Sequence, residues 1–220
     1  PALGLVVSGG HTSLYQVDGP LQMSLMGRTI DDAVGEAYDK VAAILNLGFP
    51  GGPIVDKRAQ QGNGRAIRFP RTLLDGDSLD FSFSGLKTAV LYHVCGKPTG
   101  RGRDAAFERD ASSLTESEKT DICASFQAAV VEVIETKLKR TLAQLPGAKS
   151  LLVGGGVSAN SLLRSRSLSF GQAHGLDVRL PRMAFCLDNA AMIAGLAHHR
   201  LIAGRFDDLT LEAVATTDLR

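Results

Sequence analysis

The stretch LGLVVSGGHTSLYQV, residues 3–17, decides the fold. An apolar run rich in valine and leucine ends at two glycines, and a second run of strand-forming residues follows at once. Two such runs joined by a glycine turn predict a β-hairpin. A third apolar run, residues 21–26, comes after the turn Asp18-Gly19-Pro20, so the chain is predicted to open with three antiparallel strands.

A predicted helix follows the meander and runs from an N-cap at Thr29 or Asp31 to about residue 47. On a helical wheel at about 100° per residue, its apolar positions share one face. These positions are Val34, Ala37, Tyr38, Val41, Ile44 and Leu45. We therefore expect an amphipathic helix directly after the three strands.

The second half of the chain is strongly periodic and begins at the capping box Thr115-x-x-Glu118. The helix behind it is predicted to bury Ile122, Phe126, Ala129, Val130, Val133 and Leu138. The elements predicted next are a strand at 151–153, a helix from about 158, a strand near 178–180 and a helix from about 188 to 203. A meander followed by α/β crossovers predicts a mixed, layered α/β fold of the ribonuclease-H-like type.

An insertion is predicted between the two halves. Residues 49–114 are richer in glycine, proline and charge than their surroundings, and residues 96–113 predict a loop because they hold almost no large apolar side chains. We therefore expect residues 1–48 to form the first part of a ribonuclease-H-like core and residues 115–220 its second part.

Composition excludes several classes of protein. The chain has 220 residues, of which 44% are hydrophobic and 21% charged, which excludes a disordered or fibrous protein. A net charge of +1 excludes a strong overall attraction to nucleic acid but leaves room for a local basic patch. Three cysteines without a C-x-x-C pair favour a reducing compartment. Because no apolar run approaches about 18 residues, we expect a cytoplasmic protein without a membrane contact.

The turn Val7-Ser8-Gly9-Gly10-His11-Thr12 is the first candidate for ligand binding. Two glycines let backbone N–H groups approach an anion closely, and the Ser8 and Thr12 hydroxyls add donors. The alternative is a plain hairpin turn.

A second glycine turn, Gly154-Gly155-Gly156-Val157-Ser158-Ala159-Asn160, lies between a predicted strand and a predicted helix. The free N–H groups of a helix start favour phosphate or ribose oxygens there. The spacing also fits the dinucleotide fingerprint G-x-G-x-x-A, which expects an acidic residue at the end of the next strand. Here Asp177 opens that strand, so a mononucleotide is favoured.

Carboxylates supply the other candidates. Asp32, Glu36 and Asp39 form one stripe of the first helix, which is typical of a solvated face, although Asp39 is placed to reach a ligand. Asp188, at the start of the last helix, fits either a cap or a metal ligand.

Two further patterns favour structural roles at least as much as functional ones. Ser84-x-x-Lys87 has the spacing of a serine acyl-enzyme but lacks its companion motifs. A basic run from Lys57 to Arg71 predicts either contact with nucleic-acid phosphates or a solvated loop.

Taken together and in order, six motifs closely resemble the bacterial TsaD proteins, the tRNA threonylcarbamoyladenosine family formerly described as glycoproteases. The motifs are Ser8–Thr12 (SGGHT), 31–40 (DDAVGEAYDK), 50–53 (PGGP), 80–88 (DFSFSGLKT), 155–160 (GGVSAN) and 188–193 (DNAAMI). The resemblance implies an actin-like ATPase fold of two ribonuclease-H-like lobes. It also implies transfer of a threonylcarbamoyl group from threonylcarbamoyl-AMP to N6 of the adenosine 3′ of the anticodon in tRNA.

The resemblance assigns site residues position by position. Those expected to contact the acyl-adenylate are Val6, Val7, Ser8, Gly9, Gly10, Asp39, Gly52 and Asn160, with Asp56 as a ribose ligand. Asp188 is expected to bind one divalent metal ion, iron or zinc. The implied partners are tRNA and TsaB- and TsaE-like proteins.

The sequence departs from the family in one respect. The family's other two metal ligands lie in a His-x-x-x-His motif upstream of the first strand, with most of the first lobe, and nothing before Pro1 supplies them here. We expect weak or absent metal binding and little transfer by this chain alone.

Two other functions stay open. The chain can be a catalytically silent relative that binds a partner protein, although intact ligand motifs speak against this. A metalloprotease is the weaker alternative, because the sequence has neither a nucleophile–base pair nor an H-E-x-x-H motif.

Overall fold

A five-stranded mixed sheet lies at the centre of the fold in the computed structural model, which describes residues 1–74, 76–100 and 106–212. The strands are β1 (Ala2–Val7), β2 (Thr12–Gly19), β3 (Gln22–Arg28), β4 (Ser150–Gly154) and β5 (Asp177–Arg179), in the spatial order β3-β2-β1-β4-β5. The first three strands are antiparallel, β4 runs parallel to β1, and β5 runs parallel to β4. The predicted meander with α/β crossovers is confirmed.

Six α-helices accompany the sheet in the described part of the chain. They are α1 (Val34–Ile44), α2 (Gly51–Ala59), α3 (Ser84–Cys95), α4 (Glu116–Gln144), α5 (Ser161–His174) and α6 (Ala190–Ile202). Short 3₁₀ turns span Ala111–Ser113, Gly156–Ala159 and Met183–Phe185. Helices α2 and α3 lie within the predicted insertion, whose division from the core at residues 48 and 114 stays a prediction. None of these helices combines the length and apolar character that crossing a bilayer requires.

One hydrophobic core joins buried residues of the sheet with those of helices α1 and α4. Alternate residues of β1, namely Leu3, Leu5 and Val7, are buried, as the period of a strand dictates. The predicted apolar face of α1 is buried except at Ile44, which is partly exposed. All six apolar positions predicted for α4 are buried, and Thr115 and Glu118 form the predicted capping box.

The predicted start of α1 is wrong. The helix begins at Val34, whose N–H donates to the Thr12 hydroxyl 2.8 Å away in β2. Asp31 does not cap α1, because its carboxylate accepts hydrogen bonds from the backbone N–H groups of Phe83 (2.9 Å) and Ser84 (3.2 Å). Asp31 therefore caps α3, which begins 53 residues later in the chain.

Helix α6 differs from the others because none of its residues is buried. Its large apolar side chains face solvent, and Ile193 is 71% exposed. The predicted helix is thus confirmed, but the described part of the chain does not cover its apolar side.

The loop predicted at residues 96–113 includes residues 101–105, which lie outside the described residues. On either side of them, Thr99 and Ala106 form an isolated antiparallel bridge. The cysteines, Cys95, Cys123 and Cys186, are all buried and free, in agreement with a fold that needs no disulfide.

Candidate functional site

The two glycine turns meet at one edge of the sheet. The first follows β1 and the second follows β4, and the carboxyl ends of adjacent parallel strands lie together. Gly155 shows how close the turns are, since its φ is +92° and a Cβ there would lie 2.4 Å from the Val7 carbonyl oxygen. Only glycine fits both the backbone conformation and the space.

The first turn is open toward solvent. Ser8 closes it, because its N–H donates to the His11 carbonyl (2.8 Å) and its hydroxyl accepts from the His11 N–H (3.0 Å). Gly9 and Gly10 are exposed, and a Cβ on either would meet nothing within 4 Å. Their N–H groups donate no hydrogen bond within the described residues, so the turn offers free donors to an anion.

Helix α1 begins against this turn. Gly35 makes the approach possible, since a Cβ there would lie 2.7 Å from the Ser8 carbonyl oxygen, to which the Gly35 N–H donates at 3.1 Å. The positive end of the α1 dipole therefore lies beside Gly9 and Gly10, which favours negative charge there.

Asp39 and Gly52 lie together where α1 meets α2. Asp39 Oδ1 accepts from the N–H of Gly51, the first residue of α2, at 2.8 Å. Gly51 is buried against α1, whereas a Cβ on Gly52 would meet nothing within 4 Å. The start of α2 thus presents an open surface near the predicted ligand Asp39.

Asp56 and Asn160 belong to one hydrogen-bond network between α2, α4 and α5. Asp56 accepts from Ser161, at 2.7 Å from its hydroxyl and 3.1 Å from its N–H, and from Gln127 Nε2 at 3.0 Å. Asn160 caps α5 through the Leu163 N–H (3.0 Å) and donates to Gln127 Oε1 at 2.8 Å. The structure thus brings two predicted ligands to the same place.

The Tyr38 hydroxyl is buried in the same network. Burial, and then the nearby charge of Asp56, raise the pKa of Tyr38 well above its usual value. The hydroxyl is therefore neutral and donates to Gln127 Oε1 at 3.3 Å. Tyr38 cannot serve as a general base here.

The acidic stripe of α1 divides into two parts. Asp32 pairs with Lys40 (2.6 Å) and Lys87 (3.0 Å), and Glu36 pairs with Lys40 (2.9 Å). Partial burial acts to raise the pKa of Asp32, but the two lysines outweigh it and leave the pKa below its ordinary value. Asp32 and Glu36 are therefore structural, and only Asp39 faces the site.

Asp188 is exposed and stands apart from the network. The N-cap of α6 is Asn189, whose Oδ1 accepts from the Met192 N–H at 3.2 Å, so of the two alternatives for Asp188 the cap is excluded. No group of three or more His, Cys, Asp or Glu side chains that could hold a metal occurs among the described residues. One exposed carboxylate does not make a metal site, and we derive no chemical step through a metal.

Ser84 and Lys87, which have the spacing of a serine acyl-enzyme, have structural roles. The Ser84 hydroxyl donates to Asp31 at 2.8 Å, whereas Lys87 pairs with Asp32, so the two side chains serve different partners.

Two members of the basic run form ion pairs. Arg58 pairs with Glu116 (2.5 Å) and Arg71 with Glu132 (2.7 Å). For the other cations of the run, contact with nucleic-acid phosphates and a solvated loop both stay predictions.

Sequence reasoning missed Gln127 and Ser161. The signal for Gln127 is a single amide among the buried residues of α4, most of which are apolar. A buried amide of this kind requires specific partners.

Comparison with known proteins adds to this geometry. The model of the family TsaD, described as tRNA N6-adenosine threonylcarbamoyltransferase, matches residues 1–195. The chain belongs to the TsaD family. It is 49% identical, over its whole length, to the tRNA N6-adenosine threonylcarbamoyltransferase of Trichlorobacter lovleyi, of which it covers 60%. The proteins of the same name from Salinibacter ruber and Clostridium beijerinckii are 45% and 44% identical over 96% and 97% of the chain, which covers 60% and 59% of them.

The TsaD match includes both glycine turns, the start of α2 and Asp188. It confirms the resemblance, and the mixed sheet with flanking helices agrees with the actin-like fold of the TsaD family. The chain spans about three fifths of the length of the curated relatives it matches.

Proposed function

We propose that the described lobe binds the nucleotide half of threonylcarbamoyl-AMP, and that the protein transfers the threonylcarbamoyl group to N6 of the adenosine 3′ of the anticodon in tRNA. The observation that carries the proposal is the meeting of two glycine turns with the start of α1 at one edge of the sheet, while the start of α2 packs against α1 at Asp39. The printed names of the relatives supply the reaction.

In this proposal the phosphate binds at the first turn. The free N–H groups of Gly9 and Gly10 and the dipole of α1 favour an anion there. The ribose lies toward Asp56, and Gly52 leaves room beside it. Asn160, at the end of the second turn, and Asp39, on α1, lie at the borders of the site. These assignments follow the residues that the resemblance implies.

The proposed reaction is an acyl transfer. The adenosine amine attacks the carbamoyl carbon, a C–N bond forms, the bond from that carbon to the phosphate oxygen breaks, and AMP leaves while the amine loses a proton. Donors fixed at the phosphate stabilise the charge on the leaving AMP. The buried, neutral Tyr38 is not the group that takes this proton.

We also propose the finer properties that the resemblance implies. Asp188 would be one ligand of a divalent metal, iron or zinc, that can polarise the carbonyl or a phosphoryl oxygen when bound. TsaB- and TsaE-like proteins would be partners, and the cytoplasm would be the site of action because tRNA is the substrate.

Calorimetric titration with AMP tests the binding half of the proposal. Gly10→Ala places a methyl group in open space at the first turn, so the fold stays intact while the phosphate is crowded. We expect saturable binding by the wild type and at least about tenfold weaker binding by Gly10→Ala, since tenfold corresponds to ~1.4 kcal/mol.

The matched control is Gly195→Ala, which adds the same methyl group in open space on α6. It should bind AMP like the wild type. A wild type that shows no saturable binding contradicts the proposal and favours the silent, partner-binding relative. Equal binding by Gly10→Ala contradicts the position of the phosphate.

A further inference from the structure

One buried amide connects three helices beneath the candidate site. Gln127 of α4 is 3% exposed and lies among apolar neighbours such as Phe126 and Val130. Burying an amide is unfavourable unless both of its ends are hydrogen-bonded. Both ends are used here, because Oε1 accepts from Asn160 and Nε2 donates to Asp56.

The direction of these hydrogen bonds is fixed from one end. The Leu163 N–H can only donate, so the atom of Asn160 that faces it must be Oδ1 (3.0 Å). Asn160 Nδ2 then faces Gln127 and donates to Oε1 at 2.8 Å, which turns Gln127 Nε2 toward Asp56 Oδ1 at 3.0 Å. Rotating either amide would place two donors or two acceptors face to face.

The Tyr38 hydroxyl contacts both Gln127 and Asn160, in the middle of this hydrogen-bond network. Its hydroxyl donates to Gln127 Oε1 at 3.3 Å and accepts from Asn160 Nδ2 at 3.4 Å. The ring is fully buried and packs edge-on against Phe126, with ring centroids 5.0 Å apart. The acceptor end of Gln127 therefore cannot turn without losing a partner.

We infer that Gln127 is a positioning residue: without touching the ligand, its amide fixes the orientation of Asn160 and Asp56 for the nucleotide. This inference rests on the proposed function. It assigns to the middle of α4 a role that a purely apolar helix face could not fill, because an apolar side chain would leave Asp56 Oδ1 without the 3.0 Å donor.

The substitution Gln127→Glu tests the inference through pH. A charged carboxylate cannot donate to Asp56, whereas a protonated one can, and two adjacent carboxyl groups raise the pKa of one of them. We expect AMP affinity to fall at least about tenfold at pH 8 and to recover toward the wild-type value near pH 5.5. The protonation of AMP also changes with pH. It affects both proteins equally, so the ratio of variant to wild-type affinity at each pH cancels its effect.

Two controls separate positioning from general destabilisation. Gln127→Met has similar length and no hydrogen bonds, so its affinity should stay low at every pH. Gln144→Glu adds the same charge at an exposed position of α4 and should leave affinity unchanged. Urea unfolding of each variant shows whether it is folded at the pH of the titration.

A ratio of affinities that does not change with pH in folded Gln127→Glu overturns the inference and leaves the proposed function standing. Absence of AMP binding by the wild type overturns both. If Gln127→Glu does not fold, Tyr38→Phe decides, because it removes only the hydroxyl that holds Gln127 Oε1. We expect about threefold weaker AMP binding from the loss of that hydrogen bond, and unchanged binding overturns the inference.

Discussion

Helices α1 and α6 have similarly apolar sequences, but most apolar side chains of α1 are buried and those of α6 are exposed. Val34, Tyr38 and Val41 of α1 are fully buried, whereas no residue of α6 is. The contacts that fix the glycine turns, Asp39, Asp56 and Asn160 are all made by other residues of the described chain. Asp188, the candidate metal ligand, lies at the start of the exposed helix. In the proposed function, the nucleotide side of the site is therefore fixed by contacts within the described lobe, whereas Asp188 is not held by such contacts.

The largest expected effect tests which region carries stability. Phe81→Ala removes a fully buried ring and should lower the free energy of unfolding by about 3–5 kcal/mol. Ile193→Ala removes an exposed side chain of α6 and should change it by less than about 0.5 kcal/mol. Urea denaturation measures both. Similar losses would show that α6 packs against the core in solution.

The next comparison uses two glycines. Gly155→Ala forces a Cβ to 2.4 Å from the Val7 carbonyl at a φ of +92° and should cost about 2–3 kcal/mol. Gly195→Ala lies in an open helical position and should stabilise by about 0.5–1 kcal/mol. Thermal unfolding at one pH checks the opposite signs. A tolerated Gly155→Ala would mean that the two turns are not in contact.

Removing the Asp31 cap should lower the free energy of unfolding by a smaller amount, and this loss should depend on pH. Partial burial acts to raise the pKa of Asp31, but hydrogen bonds from Ser82, Phe83 and Ser84 outweigh it and leave the pKa below its usual value of 3.8. Asp31 therefore contributes stability above about pH 4 that is lost as the pH falls further. Asp31→Ala should cost about 1–2 kcal/mol at pH 7.

The cost of Asp31→Ala should shrink below pH 4, and unfolding curves at pH 7 and pH 3.5 measure the change. Asp188→Ala, at an exposed carboxylate, should leave stability within about 0.5 kcal/mol at both pH values. A pH-independent cost at Asp31 would contradict its role as a charged cap.

The last comparison concerns Lys137, which donates to the carbonyls of Leu73 and Ser78, each at 2.6 Å. Burial, followed by the charge of Arg140, lowers the pKa of Lys137 from 10.5 to about 8. Between these values the unfolded chain binds more protons, so the wild type should gain stability relative to Lys137→Met as the pH rises from 8 to 10. Urea midpoints measure this trend, which the exposed Lys139→Met should not show.

Much of the fold could be predicted from local patterns. The strand meander, the capping box at Thr115 and the buried face of α4 all depend on residues within a few positions of one another. The start of α1 could not be predicted this way, because Asp31 caps a helix 53 residues away and Thr12 of β2 takes its place. Long-range side-chain partners override a local capping signal.

The candidate site shows the same limit. Both glycine turns and Asp39 are visible in the sequence because they follow a strand or lie on a periodic helix. Helix α2 is only nine residues long and weakly periodic, so Gly52 and Asp56 came from the resemblance alone. Gln127 acquires its role from Tyr38, Asp56 and Asn160, which are 89, 71 and 33 positions away.

Amide hydrogen exchange of the chain with and without saturating AMP tests the central claim most directly. The account predicts slower exchange in residues 8–11, 51–56 and 155–163, where the glycine turns and the starts of α2 and α5 meet, and unchanged exchange in α6. Protection confined to α6, or no protection in any of the three segments, would contradict it.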